Sequence, residues 1–169
     1  MPRSAQLTRG DLERLYESLG PRLLLYLGKR TGDPGLAADL VQEVFLKLLL
    51  SPIRAGSEAQ LKSYLYRTAH SRLVDHARKE QRARLLDILP WREPAEHSTG
   101  GSDMELAFRR LKPRVATLLW LAYVEEMNHN EIAEVVGVKS GSVKVLLSRA
   151  RKQLRTVSVD LGLAPEGCV

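Results

Sequence analysis

The stretch 127–155, MNHNEIAEVVGVKSGSVKVLLSRARKQLR, constrains this chain more than any other. It reads as two short helices joined by a tight turn. Asn128 or Asn130 can cap the first helix, whose inner face is Ile132, Ala133 and Val136. Gly137 ends it, where the backbone needs a left-handed residue free of a Cβ clash, and Val138 packs under the turn. Ser140 is placed to cap a second helix, on which Val143, Leu147, Ala150 and Leu154 recur at helical spacing. That is a helix-turn-helix arrangement.

Charge separates the two helices. Residues 128–138 carry Glu131 and Glu134 and no Lys or Arg. Residues 139–155 carry Lys139, Lys144, Arg149, Arg151, Lys152 and Arg155 and no acid. Stepping about 100° per residue from Val143 puts Val145, Ser148, Arg149 and Lys152 opposite the apolar stripe, with Lys144 and Arg155 on a flank. A helix with a buried seam and a basic outer face suits the major groove of DNA. The plainer reading is a solvated helix whose basic end complements its dipole. The turn signature and the charge separation together favour DNA.

The segments Glu131-Ile132-Ala133-Glu134, Gly137-Val138, Gly141-Ser142-Val143-Lys144 and Ser148-Arg149-Ala150-Arg151 resemble region 4 of sigma factors, most of all the small extracytoplasmic-function group. Response-regulator DNA-binding domains share much of this motif, so the N-terminal half has to decide. There, Asp39-Leu40-Val41-Gln42-Glu43-Val44-Phe45-Leu46-Lys47 resembles region 2.2 of the same group. Tyr64-Leu65-Tyr66-Arg67-Thr68-Ala69 and Asp75-His76-Ala77-Arg78-Lys79 resemble regions 2.3 and 2.4. The motifs come in the family's order and spacing. The resemblance spans about 12–84 and 104–155.

A chain of 169 residues suits one domain or two small ones. Aromatics are only 5% and Leu dominates, which favours helices over sheets. Net charge is +6, so an acidic partner is expected, nucleic acid first. The single cysteine, Cys168, allows no disulfide within the chain, which fits a reducing cytoplasm. Residues 1–10 lack the apolar core of a signal peptide, and no run approaches the roughly 20 apolar residues of a membrane span. No membrane insertion is expected. Of the four histidines, His70 and His76 are six apart, His97 falls in a linker and His129 opens the helix-turn-helix. None has metal-ligand spacing, and no cofactor is expected.

The expected fold is all-α: two small helical domains joined by a flexible linker, the second containing the helix-turn-helix. Residues 1–84 form the region 2 domain, 85–102 the linker, 103–158 the region 4 domain and 159–169 a tail. In the first domain, Thr8 or Asp11 caps a helix with Leu12, Leu15, Tyr16 and Leu19 inside. That helix breaks or restarts at Pro21 and runs on to Gly28. Asp33 caps the next, with Pro34 at its first position. This helix, 34–50, buries Leu36, Leu40, Val41, Val44, Phe45 and Leu48. A loop over 51–59 offers Arg54 as its one basic phosphate contact. The long helix 60–84 buries Leu61, Tyr64, Leu65, Thr68, Ala69, Leu73 and Ala77 and carries a basic exterior. Aromatics among cations suit unpaired DNA, because bases stack on rings while Lys and Arg hold phosphates. Tyr66 is the preferred stacking ring, since Tyr64 falls on the inner face.

Residues 85–91 are apolar but short, and 92–102 are rich in Pro, Ser and Gly, as a linker is. Asp103 caps a helix with Met104, Leu106, Ala107 and Leu111 inside. Pro113 opens another, 113–126, with Val115, Leu118, Leu119 and Ala122 as its seam, and with Trp120 and Tyr123 positioned to close over the helix-turn-helix. After Arg155 the tail loses charge.

By the resemblance, the chain is an RNA polymerase sigma factor, which directs promoter-specific initiation by binding rather than by bond-making. Its partners would be bacterial core RNA polymerase and promoter DNA. An anti-sigma factor commonly restrains members of this group, and no residue here identifies one. The resemblance assigns Lys144, Val145, Ser148, Arg149 and Lys152 to the minus-35 element. It assigns Tyr66, Arg67, Ser71, Arg78 and Lys79 to the minus-10 element, and Asp39, Gln42 and Glu43 to polymerase. Ser71 stands where the family commonly has Asn. The alternative is a stand-alone helix-turn-helix regulator that binds DNA as a dimer. It leaves the second basic helix unexplained. An enzyme is disfavoured, because no nucleophile–base pair, phosphate loop or metal cluster stands out.

Overall fold

Seven helices make up the ordered architecture of the computed structural model, which describes residues 7–51, 56–86 and 102–163. Arg54, residues 87–91 of the short apolar run, His97 and Cys168 lie outside the described residues. In order the helices are α1 (Arg9–Thr31), α2 (Pro34–Leu50), α3 (Glu58–Leu85), α4 (Asp103–Arg110), α5 (Pro113–Tyr123), α6 (His129–Val136) and α7 (Ser140–Asp160).

Local chemistry sets most of the boundaries. Thr8 and Asp11 form a reciprocal capping box at the start of α1, as Ser57 and Gln60 do for α3 and Asn128 and Glu131 for α6. Asp33 accepts from the Leu36 N–H, with Pro34 as the first residue of α2. Gly32 and Gly137 take left-handed φ values of 67° and 69° and end α1 and α6.

Several expectations about caps and helix bounds need correcting. Helix α1 does not break at Pro21. Pro21 is exposed, so its missing donor costs little, while Leu15, Leu19, Leu23, Tyr26 and Leu27 bury one continuous stripe across it. Burial of such side chains, at about 1.5–3 kcal/mol each, overrides the local defect. Ser102 rather than Asp103 caps α4, by accepting from the Glu105 N–H. Ser140 does not cap α7 either; Lys139 takes that position without a side-chain bond. Finally, α7 runs past 155 to Asp160, because Val157 and Ser158 continue its buried side after the charges stop.

Helices α1–α3 form one half and α4–α7 the other, and the two are pressed together. Helix α3 packs on α5 and α6, and α1 packs on α4 and α5. One core cluster joins Leu23, Tyr26, Leu65 and Tyr66 to Leu118, Trp120, Leu121, Ile132, Val143 and Leu147. Helix α5 sits at the centre. Ala116 and Leu119 face Leu111 and Ala150 in a small core of their own. Leu118, Trp120 and Leu121 belong to the large core shared with the first half. An apolar seam on one side only is therefore too narrow a description of α5. Its residues 116–121 are all buried.

Candidate nucleic-acid interface

The helix-turn-helix is assembled from its ends inward. Asn128 Oδ1 accepts from the N–H groups of Asn130 and Glu131, and Glu131 Oε2 accepts from the Asn128 N–H at 2.8 Å. Ser140 Oγ donates to Asn130 Oδ1 at 2.5 Å, pinning the start of α7 to α6. Ile132, Ala133, Val143, Leu147 and Ala150 are buried beneath. This fixes the rotation of α7 and leaves Lys144, Val145, Ser148, Arg149 and Lys152 exposed together on its outer side. Among the described residues none of these cations has an acidic partner. Arg151 is different: it donates to Tyr123 Oη at 2.6 Å, which ties α7 to the end of α5. Tyr123 thus meets the helix-turn-helix, while Trp120 turns the other way and lies 5.4 Å from the Tyr26 ring.

A second cationic face runs along α3. Arg67, Ser71, Arg78 and Lys79 are all exposed. Residues 67, 71 and 78 fall within about 40° of one another around the helix axis. Tyr66 does not join them. Its side chain is fully buried, 5.7 Å from the Tyr26 ring, and its hydroxyl donates to Glu125 Oε1 at 2.6 Å. Tyr64, expected to be the core residue of the pair, is the half-buried one. The cause is the second half of the chain. Packed on α3, it makes a core out of a surface that helical spacing places off the inner stripe.

A third face lies between α1 and α2. Asp39, Gln42 and Glu43 are exposed and line a groove with Tyr16, Phe45, Leu46 and Leu49. Tyr16 packs edge-on against Phe45 at 4.9 Å, yet Tyr16, Leu46 and Leu49 each remain more than half exposed. Glu43 also approaches Arg72 of α3 at 3.5 Å. An apolar groove with an acidic margin suits a basic amphipathic helix of a partner.

Between the halves lies a polar cluster that sequence reasoning missed. Glu125, in the corner between α5 and α6, has a side chain only 1% exposed. Its Oε2 lies 2.7 Å from Arg22 Nη2 of α1 and 2.9 Å from Lys62 Nζ of α3. Burial alone would push the Glu125 carboxyl up. The Tyr66 and Lys62 hydrogen bonds and the Lys62 and Arg22 charges outweigh it and hold the carboxyl below the usual range. Burial, then the Glu125 bond and charge, push the Tyr66 hydroxyl far above its ordinary value. Nearby, Thr117 Oγ1 meets Tyr26 Oη at 2.6 Å and His70 Nδ1 at 2.9 Å. Burial raises Tyr26 to about 12, against the opposing effects of Thr117 and Arg30. Burial, helped by the Arg114 charge, lowers His70 to about 4. Arg30 donates to the carbonyls of Phe108, Arg109 and Leu111 at the end of α4, and Lys29 pairs with Glu105 at 2.7 Å. Nothing in the sequence separates Glu125 from its neighbour Glu126. The one available signal was Lys62 standing four residues before Tyr66.

No helix among the described residues is long and apolar enough to cross a membrane.

Comparison with known proteins matches both halves. Residues 15–83 fit the family described as Sigma-70 region 2, and residues 102–154 fit Sigma-70, region 4. The RNA polymerase sigma factor SigV of Bacillus subtilis is 30% identical over 122 residues, covering 70% of this chain and 74% of SigV. The RNA polymerase sigma factor YlaC of the same organism is 25% identical over 158 residues, covering 87% and 91%. The ECF RNA polymerase sigma factor SigE of Mycolicibacterium smegmatis is 29% identical over 167 residues, covering 92% and 61%. In three dimensions the chain resembles the sigma factor RpoE of Bartonella quintana, solved in complex with the anti-sigma factor NepR. The TM-score is 0.70 at 21% identity, over 87% of this chain and 96% of that one.

Proposed function

Because this chain belongs to the sigma-70 family and is an RNA polymerase sigma factor, we propose that its three exposed faces divide the work of initiation. The outer face of α7 docks in the major groove of the minus-35 element. Arg149 and Lys144 contact base edges or phosphates, Val145 and Ser148 set the fit, and Lys152 holds the backbone. The first-turn amides of α7 are unclaimed by a side-chain cap and add phosphate donors beside Lys139. Arg67, Ser71, Arg78 and Lys79 of α3 hold the minus-10 element, with Tyr66 joining them once it is uncovered. The α1–α2 groove, with Asp39, Gln42 and Glu43, takes a polymerase helix.

The observation that carries this reading is the pairing of two independent basic helices, α3 and α7, with an acid-margined apolar groove on a single chain. A dimeric repressor needs only α7 and leaves α3 and the groove idle. The work is binding, with no bond made or broken by the chain, and it takes place in the cytoplasm, where polymerase and promoter DNA meet. The region 2 unit spans 1–84 and the region 4 unit 103–158, with 85–102 between them. RpoE of Bartonella quintana is held by an anti-sigma factor, and a protein of that class is a reasonable partner here.

The test is a division of defects. Arg149→Ala should weaken binding to minus-35 duplex and leave polymerase binding intact. Glu43→Lys should do the opposite. A single variant that abolishes both activities while remaining folded contradicts separate faces.

A further inference from the structure

We propose that Glu125 is a latch: it occupies the Tyr66–Lys62 face of α3 in place of a nucleic-acid phosphate, holds the two halves closed, and must be released for promoter binding. The proposal rests on the assignment of α7 and α3 to two separate promoter elements.

The geometry of the corner comes first. Glu125 N donates to Trp120 O and Met127 N to Leu121 O, while Glu126 takes a left-handed φ of 53°. That turn sends Glu125 inward and leaves Glu126 in solvent. Lys62 and Tyr66 are one helical turn apart on α3, so a ring and a cation share a face. Such a pair is suited to an unpaired nucleotide, the ring to its base and the cation to its phosphate. In the closed chain the Glu125 carboxylate takes both partners, at 2.6 Å and 2.9 Å.

Reach comes second. Elements centred 35 and 10 base pairs upstream are about 85 Å apart at 3.4 Å per pair. A compact chain of 169 residues has a radius of gyration of about 15 Å and measures roughly 40 Å across. The closed body cannot sit on both elements. The connection 85–102 has a contour length of roughly 60 Å, enough to let the halves part.

The chemistry of the junction comes third. A permanent core satisfies its polar groups. Here Arg109 Nε, on a side chain that lies against Gly32 of α1, is buried without a hydrogen-bond partner among the described residues. It recovers water on opening. The junction is also rich in polar and charged groups: Glu125, Arg22, Lys62, Thr117, His70 and Arg30. The second half retains a core without the first, since Leu111, Ala116, Leu119 and Ala150 cluster among α4, α5 and α7.

Small-angle scattering of the full chain tests the latch without polymerase. The parent should show a radius of gyration of about 15 Å, and Glu125→Ala a value larger by several ångströms at unchanged helix content by circular dichroism. Its affinity for a short single-stranded DNA oligonucleotide should rise several-fold. If Glu125→Ala loses helix, Tyr66→Phe, which keeps the ring in place, carries the same comparison. An equally compact folded variant, an extended parent, or an opened variant with unchanged affinity for the oligonucleotide overturns the proposal. Binding of the parent to core polymerase is read separately. Its failure would count against the promoter assignment and leave the scattering result standing.

Discussion

The Tyr66 hydroxyl donates to the Glu125 carboxylate at 2.6 Å, joining residues 59 apart and closing helix α3 against the corner before the helix-turn-helix. The bond sits in a buried pocket where Arg22 and Lys62 both pair with the same carboxylate. A buried carboxylate needs such partners, because desolvation otherwise costs more than any one contact returns.

Tyr66→Phe removes only the donor and leaves the ring. A hydrogen bond to a charged group contributes about 1.5–3 kcal/mol. Urea unfolding of the full chain should therefore show a loss of about 1–2 kcal/mol. A loss below about 0.5 kcal/mol would show that the carboxylate is satisfied without Tyr66.

The junction should loosen in acid. His70 is held to about 4 by burial, with Arg114 of α5 adding to the effect, and its ring meets Thr117, which also bonds Tyr26 of α1. A base whose folded pKa lies below its unfolded value of about 6.5 favours the folded, neutral state. That contribution is complete above about pH 6.5 and is lost as pH falls toward 4, since the unfolded state then binds the extra proton. Glu125, held low, keeps its contribution through most of this window. Its loss begins as the pH falls through the ordinary carboxylate value of about 4.5 and continues below it. Melting temperature should fall between pH 6.5 and 4, and His70→Gln should flatten that slope. An unchanged slope in the variant would place the titration elsewhere.

Two glycines of the helix-turn-helix should respond oppositely to alanine. A Cβ at Gly137 or Gly141 would meet nothing within 4 Å, so crowding plays no part. Gly137 has φ +69° and Gly141 lies in the first turn of α7. Gly137→Ala should cost about 1–2 kcal/mol through backbone strain alone. Gly141→Ala should be neutral or stabilising by up to about 1 kcal/mol. Equal effects in thermal unfolding would mean that the left-handed turn is not retained.

Leu46 offers a test of the α1–α2 groove that charge reversal does not. It is 54% exposed and lines the groove beside Glu43. Leu46→Asp should leave melting within about 0.5 kcal/mol, as surface changes do, and weaken core polymerase binding about tenfold or more. Unchanged binding would move the polymerase contact off this groove.

How much could be read in advance differed by the origin of each feature. The bounds of α2, an Asn cap at 128 or 130 (Asn128 in the structure), the Gly137 turn and the Val143–Leu147–Ala150 stripe are local. Each follows from residues within a turn or two, and each was visible in the chain. The outer face of α7 stands exposed as helical spacing placed it, and Asp39, Gln42 and Glu43, named through the family resemblance, are exposed as well. Tyr66 was misplaced because its burial comes from a segment 59 residues away. Helical periodicity reports one face per helix, and it has no account of α5, which is buried on two. Pro21 misled for the same reason: a local helix breaker yields when a long apolar stripe is buried across it.

The most direct test of the central claim is binding of the purified chain to bacterial core RNA polymerase free of other sigma factors, followed by run-off transcription from a pooled promoter library. The account predicts one-to-one binding and new start sites that share both a minus-35 and a minus-10 element. Absence of polymerase binding, with the chain bound as a dimer to a palindromic duplex, would contradict it.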